Sequence, residues 1–179
     1  MVKSGKRILI LHYKSCQSFK MSFLTGEFEC KLDNKGRMMV PSGLKKKLPE
    51  AESEGLVINR GFKKYLVIYT KKQWEEKLTE LHSKLNEYDE EDIGYLRYFM
   101  RGATELSLDA AGRVNLPQFL LDHADIKADV VVTCLLNRIE VWSAGAHKEM
   151  INTEPKDFKN FAAKMGAREK DKGKEANNG

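Results

Sequence analysis

The chain has 179 residues, 41% of them hydrophobic, enough for one ordinary domain or two small ones. Apolar runs such as those at 8–11 and 130–132 fall far short of the roughly 18 residues a membrane span requires, which excludes a transmembrane role. Lysine and arginine exceed aspartate and glutamate by 31 to 26, but residues 1–20 hold Lys3, Lys6, Arg7, Lys14 and Lys20 and no acid, so the other 159 residues balance at 26 against 26; any attraction for an anionic partner must therefore come from local clustering.

In chain order, the basic stretch 1–20 contains only Ile8-Leu9-Ile10-Leu11 as an apolar centre, with Lys14 close behind and no small-residue cleavage site. That is too short for a secretory signal. Residues 1–20 are expected to be a disordered, dispensable leader, or to precede a true start at Met21. Phe28, Cys30 and Leu32 then alternate with Glu27, Glu29 and Lys31, the period-two pattern of a half-buried strand. Asp33 to Gly36 reads as a tight turn: aspartate bonds nearby backbone amides, and glycine supplies a positive φ. A strand over 37–40 follows, and Pro41, suited to the first turn of a helix, predicts a short helix over 42–48. Strands over 56–59 and 65–69 flank a turn at Gly61. Trp74, Leu78, Leu81 and Leu85 recur at helical spacing over 71–86, and an acidic break at 89–92 precedes a second helical segment carrying Ile93, Leu96, Phe99 and Met100.

From there the course repeats. Residues 26–44 and 102–120, at a constant offset of 76, are identical at eight of nineteen positions: Gly26/Gly102, Glu29/Glu105, Leu32/Leu108, Asp33/Asp109, Gly36/Gly112, Arg37/Arg113, Pro41/Pro117 and Leu44/Leu120. Unrelated segments would share about one. Each copy reads as strand, tight turn, strand and short helix, closed by a further strand pair, at 130–134 and 138–142 in the second copy, with a turn near Asn137. The organisation predicted is a first unit at 21–70, a helical connector at 71–100, a second unit at 101–150 and a charged, mostly disordered tail at 151–179.

The tract 23–41, the block L-V-I-N-R-G-F at 56–62, F-M-R-G-A-T-E at 99–105 and L-N-R-I-E-V-W at 136–142 together resemble the MraZ family of bacterial transcriptional regulators, over roughly residues 21–150. The resemblance implies an α+β fold of two tandem SpoVT-AbrB units, in which strands of paired units interleave as swapped hairpins into a small closed β-barrel. It implies ring-shaped homo-oligomers in the cytoplasm, associated with the nucleoid. They bind short repeated G-rich boxes of double-stranded DNA at the promoter of the division and cell-wall gene cluster, usually repressing it. The arginine ending each D-x-x-G-R turn is the family's DNA-contacting residue, which falls here on Arg37 and Arg113.

The residues themselves allow two readings of Arg37. At a hairpin tip its guanidinium can donate two parallel bonds to guanine O6 and N7 in a major groove, with Lys35 beside it on a phosphate; alternatively it pairs across the turn with Asp33, and Arg113 with Asp109. Residues 31–47 hold Lys31, Lys35, Arg37, Lys45, Lys46 and Lys47 against Asp33, a local balance of +5. In the second copy Ala110 and Ala111 replace the polar and basic turn residues, and Asp122 and His123 stand where Lys46 and Lys47 would be. DNA contact is therefore ranked Arg37, then Arg113, then Lys35, with Asp33, Gly36, Asp109 and Gly112 as turn-forming support. Arg60 and Arg138 are open to either DNA or an oligomer neighbour.

No catalytic constellation, cofactor or metal site is expected. His12, His82, His123 and His147 are scattered, and phosphate-binding glycine motifs are absent from the sequence. Cys16, Cys30 and Cys134 are odd in number and widely spaced, which suits free thiols rather than zinc ligands or disulfides. Neither a small-molecule substrate nor a membrane partner is expected. The competing class is an AbrB-like, antitoxin-type interaction module without promoter reading of its own, for which the tail offers Phe158, Phe161 and Met165 as anchors.

Overall fold

The structure, a computed structural model, describes residues 24–153; the leader at 1–20 and most of the tail lie outside them. In chain order the elements are β1 (Leu24–Lys31), β2 (Arg37–Met39), α1 (Ser42–Lys45), α2 (Glu50–Ser53), β3 (Leu56–Arg60), β4 (Leu66–Thr70), α3 (Lys71–Lys84), α4 (Glu90–Phe99), β5 (Thr104–Leu106), β6 (Arg113–Asn115), α5 (Gln118–His123), β7 (Asp129–Leu136), β8 (Arg138–Ser143) and α6 (Ala144–Asn152).

Local chemistry accounts for the element ends. Pro41 is extended (φ −54°, ψ 134°) and stands just ahead of α1 rather than inside it, with its carbonyl accepting from the amides of Leu44 and Lys45 at 2.9 Å each. The single helix expected to Leu48 is broken in two, because Pro49 disfavours helical backbone at the residue before it and has no amide to donate. Thr70 and Gln73 form a reciprocal cap on α3, Gln73 N to Thr70 Oγ1 at 3.2 Å and Thr70 N to Gln73 Oε1 at 3.0 Å. The acidic run at 89–92 is the start of α4 rather than a break: Asp89 Oδ1 accepts from Glu91 N (2.9 Å) and Asp92 N (3.1 Å), and acids are favourable at a helix N-terminus. Helix α6, which no periodicity in the sequence predicts, begins at the equivalent cap, Ser143, whose Oγ accepts from Ala146 N at 3.4 Å.

The two copies are interleaved. A six-stranded antiparallel sheet runs β1-β7-β8-β4-β3-β5, and β2 pairs with β6 in a separate ribbon. The first strand of each repeat thus lies against the other repeat's hairpin: Phe28 faces Val132, and Glu105 faces Val57. An approximate twofold relates the halves. The equivalent residues Met38 and Val114 pair directly across the ribbon, and Val67 pairs with Glu140 where β4 meets β8. The architecture is α+β with tandem repeats and swapped hairpins, as expected, but the sheet is open rather than a closed barrel, with β1 and β5 as its edges. Closure fails because the turns lift the chain out of the sheet: β1 and β2 are joined only by the bridge Leu32 to Met38, β5 and β6 only by Leu108 to Val114, and Pro41 and Pro117 stop the ribbon strands after three residues.

The sheet has two dry faces. Leu66 and Ile68 point into a core with Met38, Val114, Leu120 and Ile139 beneath the ribbon and short helices, whereas Tyr65, Val67 and Tyr69 point the other way, toward Trp74 and Trp142. On that second face Tyr65 stacks on Trp142 at 4.3 Å and Trp74 on Phe99 at 5.6 Å. The predicted stripe of α3 is thus packing at Trp74, while Leu78, Leu81 and Leu85 are only half-buried. No helix among the described residues is long and apolar enough to cross a membrane.

Candidate nucleic-acid interface

The two D-x-x-G-R turns adopt the same geometry. In the first, Asp33 Oδ1 accepts from Lys35 N (2.9 Å) and Arg37 N (3.0 Å), and Gly36 N donates to the Asp33 carbonyl at 3.0 Å. In the second, Asp109 Oδ1 accepts from Ala111 N (2.9 Å) and Arg113 N (3.0 Å), and Gly112 N donates to the Asp109 carbonyl at 2.8 Å. Both glycines are left-handed, at φ +74° and +76°, a conformation L-residues resist.

The same aspartates also hold the arginines. Arg37 donates Nε and Nη2 to Asp33 Oδ2, each at 2.7 Å; Arg113 does so to Asp109 Oδ2, each at 2.8 Å. Of the five N–H donors of a guanidinium, two are therefore committed, leaving the Nη1 group and the outer Nη2 hydrogen for an external acceptor. Each arginine side chain retains about a third of its exposure, 31%. The intramolecular pairing set against DNA contact is thus present in both turns; it leaves a two-nitrogen edge of Arg37 uncommitted, whereas Nη1 of Arg113 also faces the carboxylate of Asp33. Backbone amides of the turns, Arg37 N foremost at Asp33 and Arg113 N foremost at Asp109, hold both carboxyls below their ordinary range, so they are ionised and acceptor-only near neutrality.

The fold brings the two turns side by side. Arg37 lies opposite Asn115, and Met39 opposite Arg113, in the β2–β6 ribbon, and Arg113 Nη1 reaches to 4.0 Å from Asp33 Oδ2. Lys35 is exposed at the first tip. Among the other candidate cations, Lys31 pairs with Asp129 at 3.5 Å, Lys45 with Glu52 at 2.6 Å, and Lys47 donates to the Thr25 carbonyl at 2.6 Å; Lys46 is exposed. Arg60 and Arg138 are not at the tips; both line a cleft with Tyr65 and Tyr69, on the sheet face opposite the ribbon. Among the described residues, no group of three or more His, Cys, Asp or Glu is placed to hold a metal.

The family model described as "MraZ protein, putative antitoxin-like" matches the chain twice, over residues 23–95 and 99–169, each match containing one of the two turns. The chain belongs to the MraZ family. It is similar to proteins named "Transcriptional regulator MraZ" from Cytophaga hutchinsonii (35% identity over 144 residues, 80% of this chain and 95% of that protein) and from Flavobacterium psychrophilum (32% over 146 residues, 81% and 92%). A third protein of that name, from Christiangramia forsetii, is 31% identical over 143 residues, 79% of this chain and 92% of the relative.

In this MraZ chain, two neighbours of the tips escape a reading of the turns alone. Asn115 presents its side chain toward Gly36, and Lys45, from the first repeat, stands with Nζ 3.2 Å from where a Cβ on Gly112 would lie. Their signal is the repeat itself: equivalent strands that pair across an axis put each turn beside the other copy's flanking residues.

Proposed function

We propose that the chain is a sequence-specific DNA-binding transcription regulator, a cytoplasmic and nucleoid-associated repressor of the division and cell-wall gene cluster that acts on its own promoter as well. It works as a ring-shaped homo-oligomer, each subunit presenting Arg37 and Arg113 to base edges and Lys35 to a phosphate. The observation that carries this reading is the pair of adjacent, aspartate-held guanidiniums on one surface, Arg37 with a two-nitrogen edge uncommitted and Arg113 with only a long ion pair to Asp33 on its Nη1. Such an edge matches the two acceptors of guanine, and fixing the side chain beforehand lowers the ordering cost of binding. The relatives' shared name supports the regulatory role. Linking several tips in one assembly raises avidity on repeated boxes without any new contact.

The test is a footprint and a binding isotherm on the DNA upstream of the protein's own gene. A bidentate arginine–guanine contact discriminates by about 1–3 kcal/mol, so Arg37→Ala is expected to weaken specific binding by roughly 5- to 150-fold per box, with oligomer mass unchanged and only the small stability loss of a partly exposed ion pair, about 0–1 kcal/mol. Wild-type promoter affinity in that variant would eliminate the role given to Arg37.

A further inference from the structure

The two arginines make up half of the ribbon's outward face. Side chains alternate along β2 and β6: Met38 and Val114 pair with each other and are buried, while Arg37, Met39, Arg113 and Asn115 turn the other way. Arg37 stands opposite Asn115 and Arg113 opposite Met39, so the arginines occupy one diagonal of the face, about 7–8 Å apart at the backbone, and Asn115 and Met39 occupy the other. The approximate twofold makes positions 39 and 115 equivalent, yet one carries a thioether and the other a primary amide. Met39 is 52% exposed and contributes little to the core. Asn115 is exposed as well, although asparagine is depleted in strands. Its Oδ1 lies 4.0 Å from where a Cβ on Gly36 would lie, and its amide has no hydrogen-bond partner among the described residues.

A major groove admits a two-stranded β-ribbon, and one laid there with this face inward puts all four side chains against base edges. We propose that Asn115 and Met39 are specificity-determining residues that select the bases flanking the guanines. Asn115 takes an adenine, its Nδ2 donating to N7 and its Oδ1 accepting from the N6 amino group; Met39 packs against the C5-methyl group of a thymine. Neither side chain is charged, so their contribution is to base identity and not to phosphate attraction. The two halves of a box are then inequivalent, an adenine flanking one guanine and a thymine the other. This inference rests on the DNA reading above and deepens it, since it names what each subunit reads besides guanine.

Selection from a pool of DNA duplexes randomised at every position, by the full wild-type chain and by variants of these two exposed residues, tests it. Asn115→Ala is expected to lose the adenine preference, a drop in discrimination of roughly 5- to 150-fold, and Met39→Ala the thymine preference, about fourfold for one methyl-sized group removed from water. Both variants should keep the guanines and the wild-type slope of log affinity against log salt. Met39→Asn adds a gain that a misfolded chain cannot show: adenine is expected to replace the thymine, and the two halves of the selected box become reverse complements, because the twofold then relates identical readers. A wild-type box with no preference beside its guanines, or a flanking preference unchanged in Asn115→Ala or in Met39→Asn, overturns the role of these residues while leaving the DNA reading standing. A wild-type chain that enriches no sequence from the pool overturns both.

Discussion

Gly36 and Gly112 occupy equivalent turns, yet substituting them should have unequal cost. An L-residue in the left-handed region costs about 1–2 kcal/mol, and both sites carry this, at φ +74° and +76°. The surroundings differ. A Cβ on Gly36 would sit 3.2 Å from the Leu116 carbonyl oxygen and 3.4 Å from Leu121 Cδ1. Leu116 is buried and cannot retreat without loss, since its amide donates to the Gly36 carbonyl at 3.0 Å. A Cβ on Gly112 meets only Lys45 Nζ at 3.2 Å, the far end of a flexible side chain. Gly112→Ala is therefore expected to cost about 1–2 kcal/mol and Gly36→Ala about 2–3, the extra reflecting packing against a fixed backbone. Asparagine tolerates positive φ better than alanine, so Gly112→Asn should recover most of its loss and Gly36→Asn only part. Urea unfolding at one fixed protomer concentration, with equal m-values, measures this. In a folded body of this size the difference corresponds to about 3–5 °C in melting temperature. Equal losses at the two sites, or a larger one at Gly112, would refute the reasoning.

Two other outcomes follow from the same turns. Asp33 and Asp109 titrate below the ordinary carboxylate value of 3.8, so their contribution to stability is complete above that value and is lost as pH falls through the lower native one. The stability gap between wild type and Asp33→Asn should accordingly hold constant from pH 7 to about pH 5 and shrink below pH 4; urea unfolding at pH 7 and pH 3 checks this, and a gap as wide at pH 3 contradicts it. Lys35→Ala should lower the slope of log affinity against log salt by about one for each tip in contact, and Ala111→Lys should raise it by a similar amount, read from binding isotherms across a salt series; slopes unchanged in both would remove the phosphate role.

Much of this is legible in the sequence alone. The duplication at offset 76 located both turns, and alternation at Phe28, Cys30 and Leu32 located a strand, because period two survives wherever one face is buried. Partnership was not legible from alternation: Phe28 pairs with Val132 rather than with its own hairpin, and hydrophobic pattern sets which face is buried without saying which chain segment covers it. The open sheet is not legible for a related reason. Barrel closure depends on whether β1 and β2 share a long ladder, and one bridging pair in place of several leaves no trace in composition. Helix α6 escaped because nine residues with a single buried side chain, His147, carry little periodic signal. Its cap, Ser143 ahead of Ala144 as Thr70 is ahead of Lys71, was the feature that could have revealed it. At the tips the residue types were readable and the committed edge was not, since the same Asp and Arg spacing serves an internal pair and an external contact at once.

The interleaving also changes how the inequality of the two copies should be weighed. Read along the chain, the second turn lacks the basic residue of the first, with Ala110 and Ala111 where Asn34 and Lys35 stand. Read in space, the swap carries Lys45 of the first repeat to the second tip, so a cation is present beside Arg113 that its own repeat does not encode. That lysine is already engaged by Glu52 at 2.6 Å, whereas Lys35 is exposed at its tip. The surface is therefore close to symmetric in its guanidiniums and asymmetric in its available charge. Under the proposed DNA reading such a surface would have a preferred direction: base-reading guanidiniums related by a twofold would accept either orientation of a box, and stronger phosphate attraction at Lys35 would select one. Under the proposed ring assembly that direction would repeat from subunit to subunit, which would suit boxes arranged as direct repeats better than as palindromes.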